Sequence, residues 1–209
     1  MRRRREKGLT VVELAVALAG TAVVVGLVSM STGTAFDTWQ GTVATSEVEL
    51  TADLAVDRFV EHLSDAALTT IADDLSAPSG GSSVTFQTRT GYAGGSVTLG
   101  PSTTIVWRSD AGDPRDDVDN DGDGLVDEGE VVVVTEGAGE VVLVRNVAEF
   151  HDGEDGADHD RNGNGLRGEQ GLAFELDGRR LTVHLTLERK GADGERIACS
   201  RSAHVKLLD

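Results

Sequence analysis

The sequence predicts an α+β protein, one long N-terminal helix followed by an antiparallel β-sheet head, and three observations carry that expectation. Residues 9–30 form an apolar run with a single charge. Apolar residues then recur at three- and four-residue spacing up to residue 71. From residue 84 the chain breaks into short β-branched stretches separated by Gly- and Asp-rich turns.

The first run reads LTVVELAVALAGTAVVVGLVSM. At about 1.5 Å per residue such a helix crosses the roughly 30 Å hydrocarbon core of a bilayer. Arg2, Arg3, Arg4, Arg5 and Lys7 precede it, and the next basic residue is Arg58. This asymmetry predicts a single-pass protein of the cytoplasmic (inner) membrane, with the N-terminus inside and everything after Met30 outside. The run is too long for the apolar part of a cleaved signal peptide, and an A-x-A cleavage site is not evident.

A helix continuation is expected over residues 31–75. Its first part, STGTAFDTWQG, contains Gly33 and Gly41 as natural hinge points. Ala52, Ala55, Val56, Phe59, Leu63, Ala67 and Ile71 then form an apolar stripe, with Asp53, Asp57, Arg58, Glu61 and Asp65 largely between them. The breaker-rich SAPSGGSS at 76–83 ends the helix and opens the head, 76–209. Strands are expected at 84–88, 96–99, 103–107, 130–135, 140–145, 172–176, 180–189 and 196–207. Asp177-Gly178 marks a hairpin turn.

With 36 Asp+Glu against 19 Lys+Arg the net charge is −17. A chain this acidic repels phosphate backbones, so nucleic acid is not an expected partner and cations are. The single Cys199 excludes an intramolecular disulfide and reads as a small buried hydrophobe.

Glu13 sits inside the apolar run. A carboxylate there costs about 2.5–3.5 kcal/mol on insertion scales, so it calls for a positive partner at the same depth. The surrounding stretch Lys7-Gly8-Leu9-Thr10-Val11-Val12-Glu13-Leu14 resembles the class III signal of type IV prepilins and type II secretion pseudopilins. That resemblance implies cleavage after Gly8 by a prepilin peptidase, methylation of Leu9 as the new N-terminus, and Glu13 as the fifth mature residue. Leu9 stands where the family usually carries phenylalanine. Loss of the 1–8 leader removes five bases and one acid and leaves a net charge of −21. The exposed amine of Leu9 and a neighbouring subunit's Glu13 are each costly in lipid alone and tolerable as a pair, which would set the stagger between subunits. Further along, ADLAVDRFVEHLSDA, RNVAEFHDG and RRLTVHLTLERKGADGERIACSRSAHVKL are similar in order and spacing to the minor pseudopilin J and pilus-assembly W families. The resemblance implies other pilin or pseudopilin subunits as partners.

Two segments fit the twelve-residue calcium template D-x-[DN]-x-[DN]-G-x5-E: DVDNDGDGLVDE at 117–128 and DHDRNGNGLRGE at 158–169. Calcium takes six to eight oxygens in flexible geometry, and acidic residues at alternate positions supply them. In the first loop Asp117, Asp119, Asp121 and Glu128 are the expected side-chain ligands, and Asp123 contributes its carbonyl. Asp158, Asp160, Asn162, Asn164 and Glu169 take the same positions in the second. A register shifted by two also fits the first loop through Asp119, Asp121, Asp123, Gly124, Asp127 and Glu130. The Asn residues lower the ligand charge of the second loop, which is therefore expected to bind more weakly. The first loop runs into the strand-like EVVVV, so a swinging helix of the sensor type is not expected.

The sequence carries no phosphate loop, H-E-x-x-H or G-x-S-x-G, and its five histidines are scattered. No catalytic role is expected, and zinc is disfavoured. The favoured reading is a minor pilin or pseudopilin of a type II secretion or type IV pilus system, assembled into or priming a filament, with a calcium-stabilised head. The alternative is a membrane-anchored, calcium-dependent adhesin or binding module that never joins a filament.

Overall fold

A computed structural model describes residues 10–72, 74–77, 80–157, 159–191 and 194–208. The processing residues Gly8 and Leu9 and the loop residue Asp158 lie outside the described residues. The elements are α1 (Val11–Ser64), a 3-10 turn (Leu68–Thr70), and β1 (Ser83–Ala93), β2 (Ser96–Ser109), β3 (Gly129–Thr135), β4 (Gly139–Val147), β5 (Leu172–Asp177), β6 (Arg180–Lys190) and β7 (Arg196–Lys206). This is the α+β layout expected, with one long helix and an antiparallel sheet. Two compact units are distinguished, residues 1–42 and 43–209.

In the first unit the described residues belong to α1 and its cap. The stretch near the N-terminus is long and apolar enough to cross a membrane, and its side chains are exposed. Thr10 starts the helix with a reciprocal capping box. Its N–H and hydroxyl donate to the Glu13 carboxylate at 2.8 and 2.9 Å, and the Glu13 N–H donates to Thr10 Oγ1 at 3.3 Å. Thr21, Thr32, Thr34, Thr38 and Thr42 each donate a hydroxyl to the carbonyl four residues back. Of these only Thr21 lies within the apolar run, where a hydroxyl satisfied by its own helix suits a lipid environment. The helix passes through Gly33 and Gly41 without interruption.

In the second unit the α1 stripe of Val48, Ala52, Ala55, Val56, Phe59 and Leu63 is buried against one face of a seven-stranded sheet. The sheet order is β1-β2-β3-β4-β6-β5, with β7 on the other edge of β6. Alternate residues face the helix: Val84 and Phe86 from β1, Ile105 and Trp107 from β2, Val131 and Val133 from β3, and Leu181, Val183, Leu185 and Leu187 from β6. Period-two placement of β-branched and aliphatic residues is what makes one face of each strand apolar. Charged residues fix the helix at its rim: Arg201 Nε donates to Asp53 at 2.6 Å, and Arg189 pairs with Glu47. Cys199 is part of this core, where burial pushes its thiol above the usual range.

The helix ends at Ser64, short of the expected 75. Sheet contacts outcompete helix propensity there: Ala66 bridges Thr88, Ala67 bridges Leu208, and the Ala67 N–H donates to the Gln87 carbonyl at 2.9 Å. A second difference lies at Gly100-Pro101, where two expected strands form the single β2. Pro101 lacks an N–H, and it sits where the β1–β2 register shifts between Gln87 and Arg89, so the ladder does not need that donor. β1 runs to Ala93, five residues beyond the expected 84–88, and the remaining strands match to within a few residues. The hairpin between β5 and β6 closes with Asp177 opposite Arg180.

The opposite face of β6 presents Thr182, His184, Thr186 and Glu188, and much of it is buried. The β4–β5 connection covers part of it. His151 Nδ1 lies 2.7 Å from Thr186 Oγ1, and the Asp152 N–H donates to the same oxygen at 3.3 Å. His184 hydrogen-bonds Ser202 at 2.9 Å, and burial pulls its pKa down to about 4, so the ring is neutral near pH 7. The alternating strand leaves a packed or a surface imidazole open at this position, and the structure has the packed one.

Candidate metal centre

The two Asp-rich loops occupy the β2–β3 and β4–β5 connections, and their local structures repeat. Asp119 Oδ1 accepts the Gly122 N–H at 2.7 Å, Asp121 Oδ1 the Asp123 N–H at 3.0 Å, and Asp123 Oδ1 the Leu125 N–H at 2.8 Å. In the second loop Asp160 Oδ1 accepts from Gly163 at 2.6 Å, Asn162 Oδ1 from Asn164 at 3.0 Å, and Asn164 Oδ1 from Leu166 at 2.9 Å. Side-chain oxygens thus replace the regular ladder as acceptors for the loop backbone. The backbone enters the left-handed region at the same offsets, φ +80° and +78° at Gly122 and Gly163, +91° and +96° at Gly124 and Gly165. Leu125 and Leu166, both buried, anchor the loops.

In the first loop Asp119, Asp121 and Asp123 each offer a carboxylate oxygen, all within 4.8 Å of one another and exposed. Three like charges this close repel unless a cation neutralises them, so this group could hold a metal ion. Glu128 is 4% exposed and its Oε2 has no hydrogen-bond partner among the described residues. Burial pushes its pKa up to about 7, and the nearby Asp113 and Asp123 carboxylates add to the rise.

Asp123 joins the cluster through its side chain, where the template assigns its carbonyl. Asp117 sits at φ +62°, and its N–H donates to the Asp127 carboxylate at 2.9 Å. The two extra acids of the shifted register are otherwise engaged. Asp127 also accepts the Asp116 N–H at 2.8 Å, and Glu130 is held by Arg108 at 2.6 Å and Arg145 at 3.1 Å.

In the second loop Asn162 and Asn164 turn their amides to Glu169 Oε1. Glu169 is 5% exposed, and its Oε2, like that of Glu154, is buried without a partner among the described residues. The expected ligands Asn162, Asn164 and Glu169 are therefore brought together.

Two acids outside the templates were not among the expected ligands. Asp113 is fully buried, and its two carboxylate oxygens accept the N–H groups of Asn120 and Asp127 at 2.8 and 2.7 Å. These bonds, the one from Asn120 foremost, hold its pKa below the usual carboxylate range. Glu154 Oε1 accepts the N–H groups of Arg161 and Asn162 at 2.8 and 3.1 Å. Asp113 and Glu154 are 41 positions apart, the same offset that separates the two templates. Aligning the loops beyond their twelve residues would have exposed the pair.

The loops are also tied to each other. The Arg115 guanidinium lies 5.5 Å from the Trp107 ring and 5.7 Å from the Phe150 ring, and Arg115 Nε donates to Glu149 at 2.7 Å. Phe150 bridges Gln170, and the His151 N–H donates to the Glu169 carbonyl at 3.0 Å, so Arg115 of the first connection grips a segment that is bonded to the end of the second loop.

Every candidate ligand atom is oxygen. Such a set suits a hard cation and offers little to a soft one. β3 begins at Gly129, directly after Glu128, so no helix leaves the first loop. Comparison with protein-family models, curated proteins and solved structures gives no match to this chain.

Proposed function

We propose that this chain is a structural minor pilin or pseudopilin of a type II secretion or type IV pilus system, processed by a prepilin peptidase, whose head is stabilised by calcium. One observation carries the reading: α1 is apolar and lipid-length in its first part, bears a lone carboxylate one turn from its start, and in its second part forms the spine of an antiparallel head. A soluble core helix has no use for an exposed apolar first half, and a plain membrane anchor needs Glu13 for no more than its cap on Thr10, which a neutral glutamine could make without the cost of a charge in lipid.

In the single subunit Glu13 is satisfied by Thr10. On assembly, the methylated amine of a neighbour's Leu9 would take over as the partner of that carboxylate, a charged pair replacing a neutral cap in a low-dielectric setting. The head then lies outside the cytoplasmic membrane, where calcium is available to link loops that would otherwise repel.

Mass spectrometry of the membrane-extracted chain tests this reading. Loss of residues 1–8 with a methylated Leu9 is the expected result. An intact N-terminus would overturn it and leave a membrane-tethered, calcium-dependent binding module. Glu13→Ala should still be processed but should fail to enter filaments, and normal incorporation would remove the pairing mechanism.

A further inference from the structure

We propose that Glu154, four residues ahead of the second twelve-residue loop, is a direct ligand of the cation held there; this rests on the reading of that loop as a calcium site. Among the described residues the template supplies two carboxylates, Asp160 and Glu169, and two amides, Asn162 and Asn164, against four carboxylates at the matching positions of the first loop. Glu154 makes up part of that deficit.

Its position is fixed by the loop itself. Oε1 accepts the Arg161 and Asn162 N–H groups, which leaves Oε2 buried with no partner among the described residues. Glu169 Oε2 is in the same condition on a side chain that is 5% exposed. Asn162 touches both acids, Glu154 through its N–H and Glu169 through its side-chain amide at 3.4 Å. Two buried carboxylate oxygens without donors, on acids that both hydrogen-bond Asn162, call for a positive partner, and a cation in this loop would supply it.

The first loop shows why the acid here is a glutamate. Asp113, at the matching position, spends both oxygens on backbone N–H groups. The longer Glu154 reaches its two N–H groups with one oxygen and keeps the other free. A ligand is thereby added in the loop that has asparagines at positions 162 and 164.

The test uses the full chain in detergent micelles with the first loop silenced by Asp119→Asn and Asp121→Asn, so that terbium(III) reports on the second. Luminescence decay in H2O and D2O counts metal-bound waters, and calcium displacement gives affinity. Glu154→Ala should admit about one further water and weaken calcium by about tenfold or more. Glu154→Gln keeps the backbone acceptor and should weaken calcium without adding water. Unchanged affinity in the Gln variant, with terbium still bound, would make Glu154 a backbone clamp only and overturn the proposal. Failure of the silenced parent to bind terbium at all would overturn the calcium reading of the loop and this inference with it.

Discussion

The loops at 117–128 and 158–169 share their turns, their left-handed positions and a buried leucine, yet one gathers three exposed aspartates and the other folds two asparagine amides onto a buried glutamate. The same backbone therefore serves two charge states. In the first loop each of the three carboxylates accepts a loop backbone N–H, yet their charges lie within 4.8 Å of one another, so a cation bound there would relieve their repulsion. The second satisfies part of its polarity internally. Backbone shape in these loops is set by glycine and Asx turns, while ligand charge is set independently by the choice of Asp or Asn at the same positions.

The largest effect expected from this difference is on calcium affinity. Asp121→Ala removes the central carboxylate of the cluster and should weaken the first site by about a hundredfold or more, since even outer-shell changes cost about ten- to a hundredfold. Asn162→Asp adds charge to the second loop and should strengthen it by about tenfold. Calorimetric titration of the two variants checks both. Equal effects at the two sites would break the distinction between them.

Much of this was legible in the sequence because it is local. Alternating acids, glycines at fixed offsets and the strand that follows are written within a few residues of one another. Asp113 and Glu154 were not, because each acts seven residues away, on Asn120 and Arg161, and a twelve-residue template stops before it reaches them. The end of α1 was hidden for a related reason. Ala66 and Ala67 are good helix formers, and only the distant strand residues Thr88 and Leu208 draw their backbone out of the helix. The core stripe of α1 was legible by periodicity, whereas the union of two expected strands into β2 depended on a register shift with β1 that no local pattern announces.

A second test separates the loops by pH. Glu128 has a folded pKa of about 7 against an ordinary value of 4.5, so folding prefers its neutral form. The stability this contributes is fully present below about pH 4.5 and is lost as the pH rises through 7. In metal-free protein, Glu128→Gln should therefore gain on the wild type between pH 4.5 and 7.5, read as a widening gap in Tm. Calcium favours the carboxylate and should reverse the order at pH 7.5. A gap that stays constant with pH would show that burial of Glu128 carries no such penalty.

The smallest expected effect concerns the one left-handed position where the loops differ in residue type. Asp127 and Gly168 occupy it with φ of +59° and +53°. A Cβ on Gly168 would lie 2.7 Å from the Ala157 carbonyl oxygen, so Gly168→Ala meets both strain and a clash with backbone, and should cost about 1–3 kcal/mol. Asp127 tolerates the same φ because its carboxylate accepts the N–H groups of Asp116 and Asp117. Asp127→Gly relieves the strain but strips those two donors, and a net loss of about 1 kcal/mol follows. Urea unfolding of both variants with calcium removed reads the two terms without ion binding. If Asp127→Gly proved more stable than the wild type, its side chain would not be what holds the entry of the first loop, and the aspartate would have to be explained by the charge it lends to the cation cluster instead.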